Sequence, residues 1–287
     1  METKVIDRKT NKAYVEKSPK GANFLYKSTI GRVVLKAANK RFSSSLGGWY
    51  TNRKISTVHI NDFIRDNKID MSDYPKVKYK SFNEFFSRKI LAGKRVFDSN
   101  KKSFCSPADS KLMVYKLDKD RKFIIKDKEY TLKSILRDEQ LEKEYKNGYF
   151  LVFRLSVDDY HRYAYIDNGE VLKEKKIKGL YNTVLPVAFE KHKVHEENSR
   201  EYQVLKTENF GNIIQMEIGA MMVGKIINYD VKTFTRGEEK GYFLFGGSTI
   251  VIIVKENILK IDEDILENSN NGIETKIKQG EKIATRV

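Results

Sequence analysis

The chain has 287 residues, and its 55 Lys and Arg against 39 Asp and Glu give a formal net charge of +16 at pH 7. Hydrophobic residues make up 40%, enough for an ordinary core, which excludes a wholly disordered chain. The single cysteine, Cys105, excludes an internal disulfide framework and a cysteine-cluster metal site. No apolar run reaches the roughly 18 residues of a membrane-spanning helix, and the first residues lack the apolar core of a secretory signal. The basic excess is typical of proteins that bind nucleic acid or an anionic membrane, and also of proteins whose surface is simply rich in solvated lysine.

The N-terminal third has the pattern of helices. Between residues 22 and 42, apolar residues at helical spacing alternate with Lys and Arg. This pattern predicts a basic amphipathic helix that either lies on an anionic membrane or packs on the domain as a surface helix. A serine- and glycine-rich break follows at 43–48. Three more helices are predicted to begin at the capping residues Ser56, Ser81 and Thr131.

Beyond residue 149 the sequence favours strands. Short runs of β-branched residues, bounded by Gly, Asn or charge, lie at 149–155, 213–218, 221–227 and 250–254. Turns or loops are predicted at 237–241 and 267–272. We therefore expect an α+β fold with N-terminal membrane-facing helices and a β-rich catalytic domain. The expected division is a helical, membrane-associating region at 1–80 and a catalytic domain at 81–287.

Three segments carry residues suited to catalysis. FGGST (245–249) places two glycines before Ser248 at the start of a strand, which allows close approach to a carbonyl, although a hairpin turn has the same pattern. His161 follows a predicted strand, where an acid, a base or a buried structural histidine fits. Asp109 follows Pro107 in a predicted turn, as a catalytic acid or a turn residue. Asp, His and Ser in separate segments are compatible with a triad assembled in space.

His192 and His195 are three residues apart and form a weak candidate metal pair. Two histidines among many lysines are more simply explained as surface residues. No metal site is predicted.

Five segments, taken together and in order, resemble the phosphatidylserine decarboxylase proenzyme family. They are SFNEFFSRKI (81–90), SPADS (106–110), DYHR (159–162), ENFGNIIQMEIGAMMVGKI (208–226) and FGGST (245–249). The resemblance implies self-cleavage between Gly247 and Ser248 into a β chain, 1–247, and an α chain, 248–287. It implies a pyruvoyl cofactor derived from Ser248, which bonds the substrate amine and accepts the electrons released with CO₂. The implied reaction converts phosphatidylserine to phosphatidylethanolamine.

The resemblance also implies roles and partners. Asp109 would be the acidic member of the self-cleavage triad, and His161 would assist decarboxylation by protonating the carbanion. The implied location is peripheral, on the cytoplasmic face of the cell membrane, with phosphatidylserine in an anionic membrane as partner. The α and β chains would stay associated, and a homodimer is left open. Nucleic acid, which only the net charge suggests, is not an expected partner.

The sequence departs from the family at one site that matters for cleavage. The family's histidine motif runs YHRxH, and its second histidine is the triad base, but Ala164 stands at that position here. Alanine cannot accept a proton. Either Ala164 is an introduced change that traps the proenzyme, or another base such as His161, His192 or His195 replaces it, or the chain is a lipid-binding paralog that never matures.

Two smaller departures concern other motifs. Ser110 stands where the family has the glycine of PADG, and residues 181–188 differ from the family's HTVNP-like segment. The second departure concerns details of the substrate pocket.

Overall fold

The computed structural model describes residues 2–17, 48–125, 128–180, 182, 192–219, 226–246 and 248–287. Its helices are α1 Ile60–Asp66, α2 Phe82–Phe86, α3 Leu132–Leu136, α4 Glu139–Glu142, α5 Val194–Glu197 and α6 Glu263–Asn270, with 3-10 helices at Lys54–His59 and Lys143–Tyr145. The first nine strands are β1 Glu2–Asp7, β2 Lys12–Lys17, β3 Ser103–Cys105, β4 Ser110–Lys116, β5 Lys122–Ile125, β6 Lys128–Thr131, β7 Tyr149–Leu155, β8 Arg162–Ala164 and β9 Gly169–Ile177. The others are β10 Arg200–Thr207, β11 Gly211–Ile218, β12 Ile226–Asn228, β13 Thr233–Phe234, β14 Glu239–Phe243, β15 Ser248–Val254, β16 Leu259–Ile261, β17 Glu274–Ile277 and β18 Lys282–Arg286.

A ten-stranded mixed sheet organises the described residues, in the order β13-β9-β10-β11-β15-β7-β4-β17-β1-β2. Three smaller sheets accompany it, β12-β14-β8, β16-β18-β3 and β5-β6. The α+β class is therefore confirmed, with a large sheet and few helices.

The strand predictions agree with the sheet's centre. β7 has the predicted bounds, 213–218 lies within β11, and 250–254 lies within β15. These strands read as continuous apolar runs because both of their faces are covered. On one face the core contains Phe150, Val152 and Val251, and on the other Leu151, Phe153 and Ile250. Of the predicted strand at 221–227, residues 221–225 lie outside the described residues.

The first residues of the chain belong to the sheet and not to a helical region. β1 and β2 form an antiparallel hairpin whose turn includes Asn11 at φ +54°, and β1 runs parallel to β17. Val5 is fully buried, because the hairpin's alternating pattern presents its side chain to the core. The expected helical region at 1–80 thus does not describe residues 2–17.

The predicted helix at 22–42 and residues 43–47 of the predicted break lie outside the described residues. Within the parts of the chain that the structure describes, no helix is long and apolar enough to cross a bilayer. The expected membrane-facing helices are therefore unconfirmed.

The capping predictions had mixed outcomes. The side chains of Ser81 and Thr131 accept hydrogen bonds from the backbone N–H groups of Glu84 and Ser134, as N-caps do. Ser56 does not cap α1. It lies within the 3-10 helix, where its hydroxyl donates to the Arg53 carbonyl at 2.6 Å.

Two predicted loops are partly regular structure. Strand β14 begins at Glu239, so only the first part of 237–241 is a turn, with Gly237 at φ +81°. Helix α6 extends through Asn270 into the predicted loop 267–272. Its polar sequence hides a contact with the sheet, since the Ser269 hydroxyl accepts a hydrogen bond from the Val114 N–H at 3.0 Å.

Candidate active site

Ser248 is the first residue of β15 and is almost fully buried. The chain that leads to it is held by α2, because the Phe245 N–H donates to Asn83 Oδ1 at 3.0 Å. Gly246 has φ +137°, a conformation that favours glycine. Three phenyl rings surround the Phe245 ring at centroid distances of 5.8, 4.8 and 5.2 Å, those of Phe63, Phe82 and Phe86. Helix α2 therefore fixes the approach to Ser248.

His161 contacts the Ser248 hydroxyl directly. Its Nδ1 lies 3.2 Å from Ser248 Oγ, and its Nε2 lies 2.9 Å from the Ser156 carbonyl oxygen. Because a carbonyl can only accept, Nε2 carries the ring proton of the neutral imidazole and Nδ1 is left to accept the Ser248 proton. The ring of Phe86 covers the imidazole at 4.1 Å between centroids. Burial lowers the pKa of His161 to about 3, so the ring is neutral at neutral pH.

A short turn fixes the Ser156 carbonyl that orients His161. The Asp159 N–H donates to the Ser156 carbonyl at 3.0 Å, and the Ser156 N–H donates to Asp159 Oδ2 at 2.7 Å. Lys111 Nζ binds the same carboxylate at 2.7 Å, and both side chains are buried. Burial raises the pKa of Asp159 to about 6, against the opposing charge of Lys111. These bonds select the tautomer of His161 whose unprotonated nitrogen faces Ser248.

Asp109 lies in a separate ionic cluster. Arg95 binds both of its carboxylate oxygens at 2.7 Å, Lys278 Nζ binds one at 2.9 Å, and the Gln279 N–H binds the other at 2.9 Å. Burial raises the pKa of Asp109, but the hydrogen bonds from Arg95 and the charge of Lys278 outweigh it, so this pKa lies below its ordinary value. Since the ring nitrogens of His161 face Ser248 and Ser156, Asp109 does not complete the expected triad by direct contact.

Ala164 is buried in β8, where its N–H donates to the Pro107 carbonyl at 3.0 Å. Its methyl group has no atom that accepts a proton. Of the histidines considered as replacements, His161 is the one hydrogen bonded to Ser248, whereas His192 bonds Glu197 at 3.0 Å and His195 packs beside a tyrosine ring.

In the described part of the chain, no group of three or more His, Cys, Asp or Glu side chains is arranged to hold a metal ion.

Several residues of the site were not singled out in the sequence. Asp159 and Asn83 stand inside the quoted segments DYHR and SFNEFFSRKI, and Lys111 directly follows SPADS. The sequence signal that could have identified these three residues is their position within or beside the motifs. Ser156 contributes only its backbone, for which the sequence holds no signal.

The fold and site define a protein with a buried serine–histidine pair at the start of a central strand, shortly after a phenylalanine that helix α2 holds in place. The family model for phosphatidylserine decarboxylase matches residues 82–285. The chain is 52% identical to phosphatidylserine decarboxylase proenzyme 2 of Clostridium acetobutylicum, covering 99% of this chain and 98% of the relative. It is 40% identical to the phosphatidylserine decarboxylase proenzyme of Clostridium tetani, with 99% and 98% covered, and 42% identical to that of Fusobacterium nucleatum, with 96% and 95% covered. The chain belongs to the phosphatidylserine decarboxylase family.

Proposed function

We propose that this carboxy-lyase is made as a proenzyme that cuts itself between Gly247 and Ser248, and that the pyruvoyl-bearing product converts phosphatidylserine to phosphatidylethanolamine. The observation that carries the proposal is the 3.2 Å contact between His161 Nδ1 and Ser248 Oγ. It offers a base at the nucleophile even though Ala164 replaces the family's second histidine. This contact weakens the alternative hypothesis of a paralog that never matures, because that hypothesis rested on the absence of such a base.

The first step needs a nucleophile and a base. His161 Nδ1 takes the Ser248 hydroxyl proton while Oγ bonds to the Gly247 carbonyl carbon. The peptide C–N bond then breaks, the proton passes to the Ser248 nitrogen, and an ester joins Gly247 to Oγ. The buried imidazole is neutral at neutral pH, so it needs no prior loss of a proton before it accepts the one from Ser248.

The second step separates the chains. Removal of the Ser248 Cα proton breaks the Cβ–Oγ bond, so Gly247 leaves as a carboxylate and a dehydroalanine remains. Water then replaces the nitrogen, which leaves as ammonia, and the pyruvoyl group results. β15 is hydrogen bonded to both β7 and β11, so its first residue stays beside His161 after the cut.

The surroundings of Ser248 fit such a group, because the position is buried and lies beside a nitrogen of His161, whose ring is covered by Phe86. The group supplies a carbonyl that bonds the substrate amine and takes up the electrons of the breaking C–CO₂ bond. Once the hydroxyl is consumed, His161 Nδ1 faces the reacting group, where it can take up a proton transiently and pass it to the product carbon. His161 thus serves both self-cleavage and decarboxylation.

We further propose that the chain docks peripherally on an anionic membrane, at the cytoplasmic face. Supporting this, the segment that packs on α2 exposes Trp49, Ile55 and Val58, and Arg53 lies over the Trp49 ring at 4.8 Å. Apolar side chains beside cations are suited to an anionic lipid surface. Replacing these three apolar residues by serine should release the protein from phosphatidylserine vesicles in sedimentation. Leu172→Ser, an exposed change on β9, is the control.

The activity is tested with phosphatidylserine vesicles and a lipid assay for phosphatidylethanolamine. The wild-type chain should form it, Ser248→Ala should form none, and the exposed control Ser72→Ala should match the wild type. A cleaved wild-type chain that leaves phosphatidylserine unchanged would refute the substrate. An uncleaved chain that binds the vesicles would establish the lipid-binding paralog instead.

A further inference from the structure

Arg88 is a buried cation that forms no ion pair with any residue in the described ranges of the chain. Its side chain is 3% exposed, and its Nη1 makes only long contacts to the Phe85 and Phe86 carbonyls, at 3.3 and 3.5 Å. Its Nε and Nη2 are buried and have no hydrogen-bond partner among the residues that the structure describes. Fully buried arginines are normally paired, because an unpaired buried charge is costly. The guanidinium therefore presents two nitrogens, Nε and Nη2, whose N–H groups require an acceptor.

A second unpaired group lies beside it. The guanidinium of Arg88 lies over the ring of Phe85 at 4.8 Å and over that of Tyr74 at 4.2 Å. The ring of Tyr79 contacts the same Phe85 at 5.4 Å, and its hydroxyl is buried with no partner in the described residues. Burial raises the pKa of Tyr79 and the charge of Arg88 opposes that rise, as expected for close neighbours. The Arg88 guanidinium and the Tyr79 hydroxyl thus lie beside the Phe85 ring, and neither has an acceptor among the described residues.

This pair adjoins the candidate active site. Arg88 stands two residues after α2, whose last residue, Phe86, covers His161. The intervening Ser87 carbonyl accepts a hydrogen bond from Arg162 Nε at 2.7 Å, which joins this turn to the strand that follows His161. After burial, the charge of Arg88 is the leading influence that lowers the pKa of His161. An anion at Arg88 would therefore be held within reach of the reacting residues.

We propose that Arg88, assisted by the Tyr79 hydroxyl, is the subsite that holds the phosphodiester of the phospholipid headgroup. This deepens the proposed function and rests on it for the identity of the lipid. Guanidinium groups bind phosphate oxygens by paired, charge-assisted hydrogen bonds. The substrate's carboxylate is a poorer occupant, because it loses its charge as CO₂ departs and a tight arginine contact would stabilise the ground state. The phosphodiester keeps its charge throughout.

The test uses calorimetry with dihexanoyl phosphatidylmethanol, a soluble probe that has a phosphodiester but neither amine nor carboxylate. Arg88→Met in the full chain should weaken binding about 10- to 100-fold, the usual effect of losing charge-assisted hydrogen bonds. Arg88→Lys should weaken it less, because it keeps the charge and loses the paired geometry. Lys89→Met removes an exposed charge from the next residue and should have no effect.

Other outcomes would overturn the subsite. Unchanged binding in folded Arg88→Met, or in Arg88→Lys if the methionine variant does not fold, would make Arg88 structural. Inorganic phosphate that binds wild type as tightly as the lipid probe would assign the subsite to free phosphate. Absence of measurable probe binding to wild type would also refute it.

Kinetics separate this inference from the proposed function. In the matured enzyme, Arg88→Met should raise KM for dihexanoyl phosphatidylserine with little change in kcat, because the phosphodiester contact is the same in the ground and transition states. A fall in kcat alone would contradict the assignment. If the wild-type chain has no decarboxylase activity but binds the probe through Arg88, the proposed function fails and the subsite stands.

Discussion

Two buried polar centres of this molecule differ in how fully their hydrogen bonds are satisfied. The carboxylate of Asp109 accepts from Arg95, Lys278 and the Gln279 amide, at 2.7 to 2.9 Å. In the part of the chain that the structure describes, the hydroxyl of Ser248 has a single hydrogen bond, to His161 Nδ1 at 3.2 Å. The first centre joins distant segments through short, saturated bonds. The second leaves a nucleophile and a base loosely associated.

This difference in hydrogen bonding indicates which of the two centres is free to react. A saturated, charge-assisted network fixes structure and resists change in its members' protonation. A neutral histidine beside a hydroxyl has no charged bond to break, and it can accept the hydroxyl proton when a carbonyl approaches. We therefore assign cleavage chemistry to His161 and Ser248, and a mainly structural role to Asp109, whose charge reaches His161 only from a distance.

The largest effect should follow loss of the reactive pair. Ser248→Ala removes the nucleophile and should abolish cleavage. His161→Gln should slow cleavage about 10²- to 10⁴-fold, the usual contribution of a general base. The rates are measured by denaturing electrophoresis over time, with His192→Gln as the matched control. Cleavage at the wild-type rate in His161→Gln would remove this histidine from the mechanism.

Loss of the Asp109 carboxylate should mainly affect folding. Asp109→Asn removes the carboxylate that binds both Arg95 and Lys278 and leaves Asp73 as the remaining anion at Arg95, so it should lower the free energy of unfolding by about 1–3 kcal/mol. Urea unfolding of the uncleavable Ser248→Ala background measures this loss, with the exposed Asp66→Asn as control. Molecules that fold should still cleave. If folded Asp109→Asn stays uncut, the two centres act as one triad and our distinction is wrong.

The pH profile should separate Asp159 from His161. Protonation of Asp159 below about 6 weakens its bond to Lys111 and loosens the turn that orients His161, so cleavage should slow there. His161, with its pKa near 3, should contribute no inflection at that pH. Asp159→Asn should therefore flatten the profile. An inflection that persists in this variant would belong to His161 itself.

The same Asp159 shift has a consequence for stability. Its folded pKa lies above the ordinary 3.8, so the folded chain binds this proton more tightly than the unfolded chain does. This group therefore lowers the free energy of unfolding as pH rises from 3.8 to about 6. Asp159→Asn should remove that pH dependence in urea titrations.

The smallest effect on cleavage is expected at position 164. Ala164→His places a histidine in a buried site and should destabilise the fold by about 1–3 kcal/mol through overpacking, without faster cleavage. Ala164→Leu adds bulk without a base and serves as the matched control. Faster cleavage with histidine but not with leucine would return the base to position 164.

The sequence predicted local features better than spatial ones. The central strands and the caps at Ser81 and Thr131 follow from apolar runs and short-range hydrogen bonds. Helix α6 was missed because its polar sequence conceals the contact of Ser269 with β4. The β1–β2 hairpin was missed because its partner, β17, lies at the other end of the chain.

The candidate site was predicted in its members but not in its connections. Ser248 and His161 were recognised from their motifs, yet their contact depends on the pairing of β15 with β7. The exclusion of Asp109 from that contact depends on Arg95 and Lys278, which no local pattern links to it.

The most direct test of the central claim is the intact mass of the freshly expressed chain under denaturing conditions. We predict two fragments divided between Gly247 and Ser248, the smaller one comprising residues 248–287 with a pyruvoyl-blocked end. A single uncut species of 33.4 kDa would contradict the claim that His161 suffices as the base for self-cleavage.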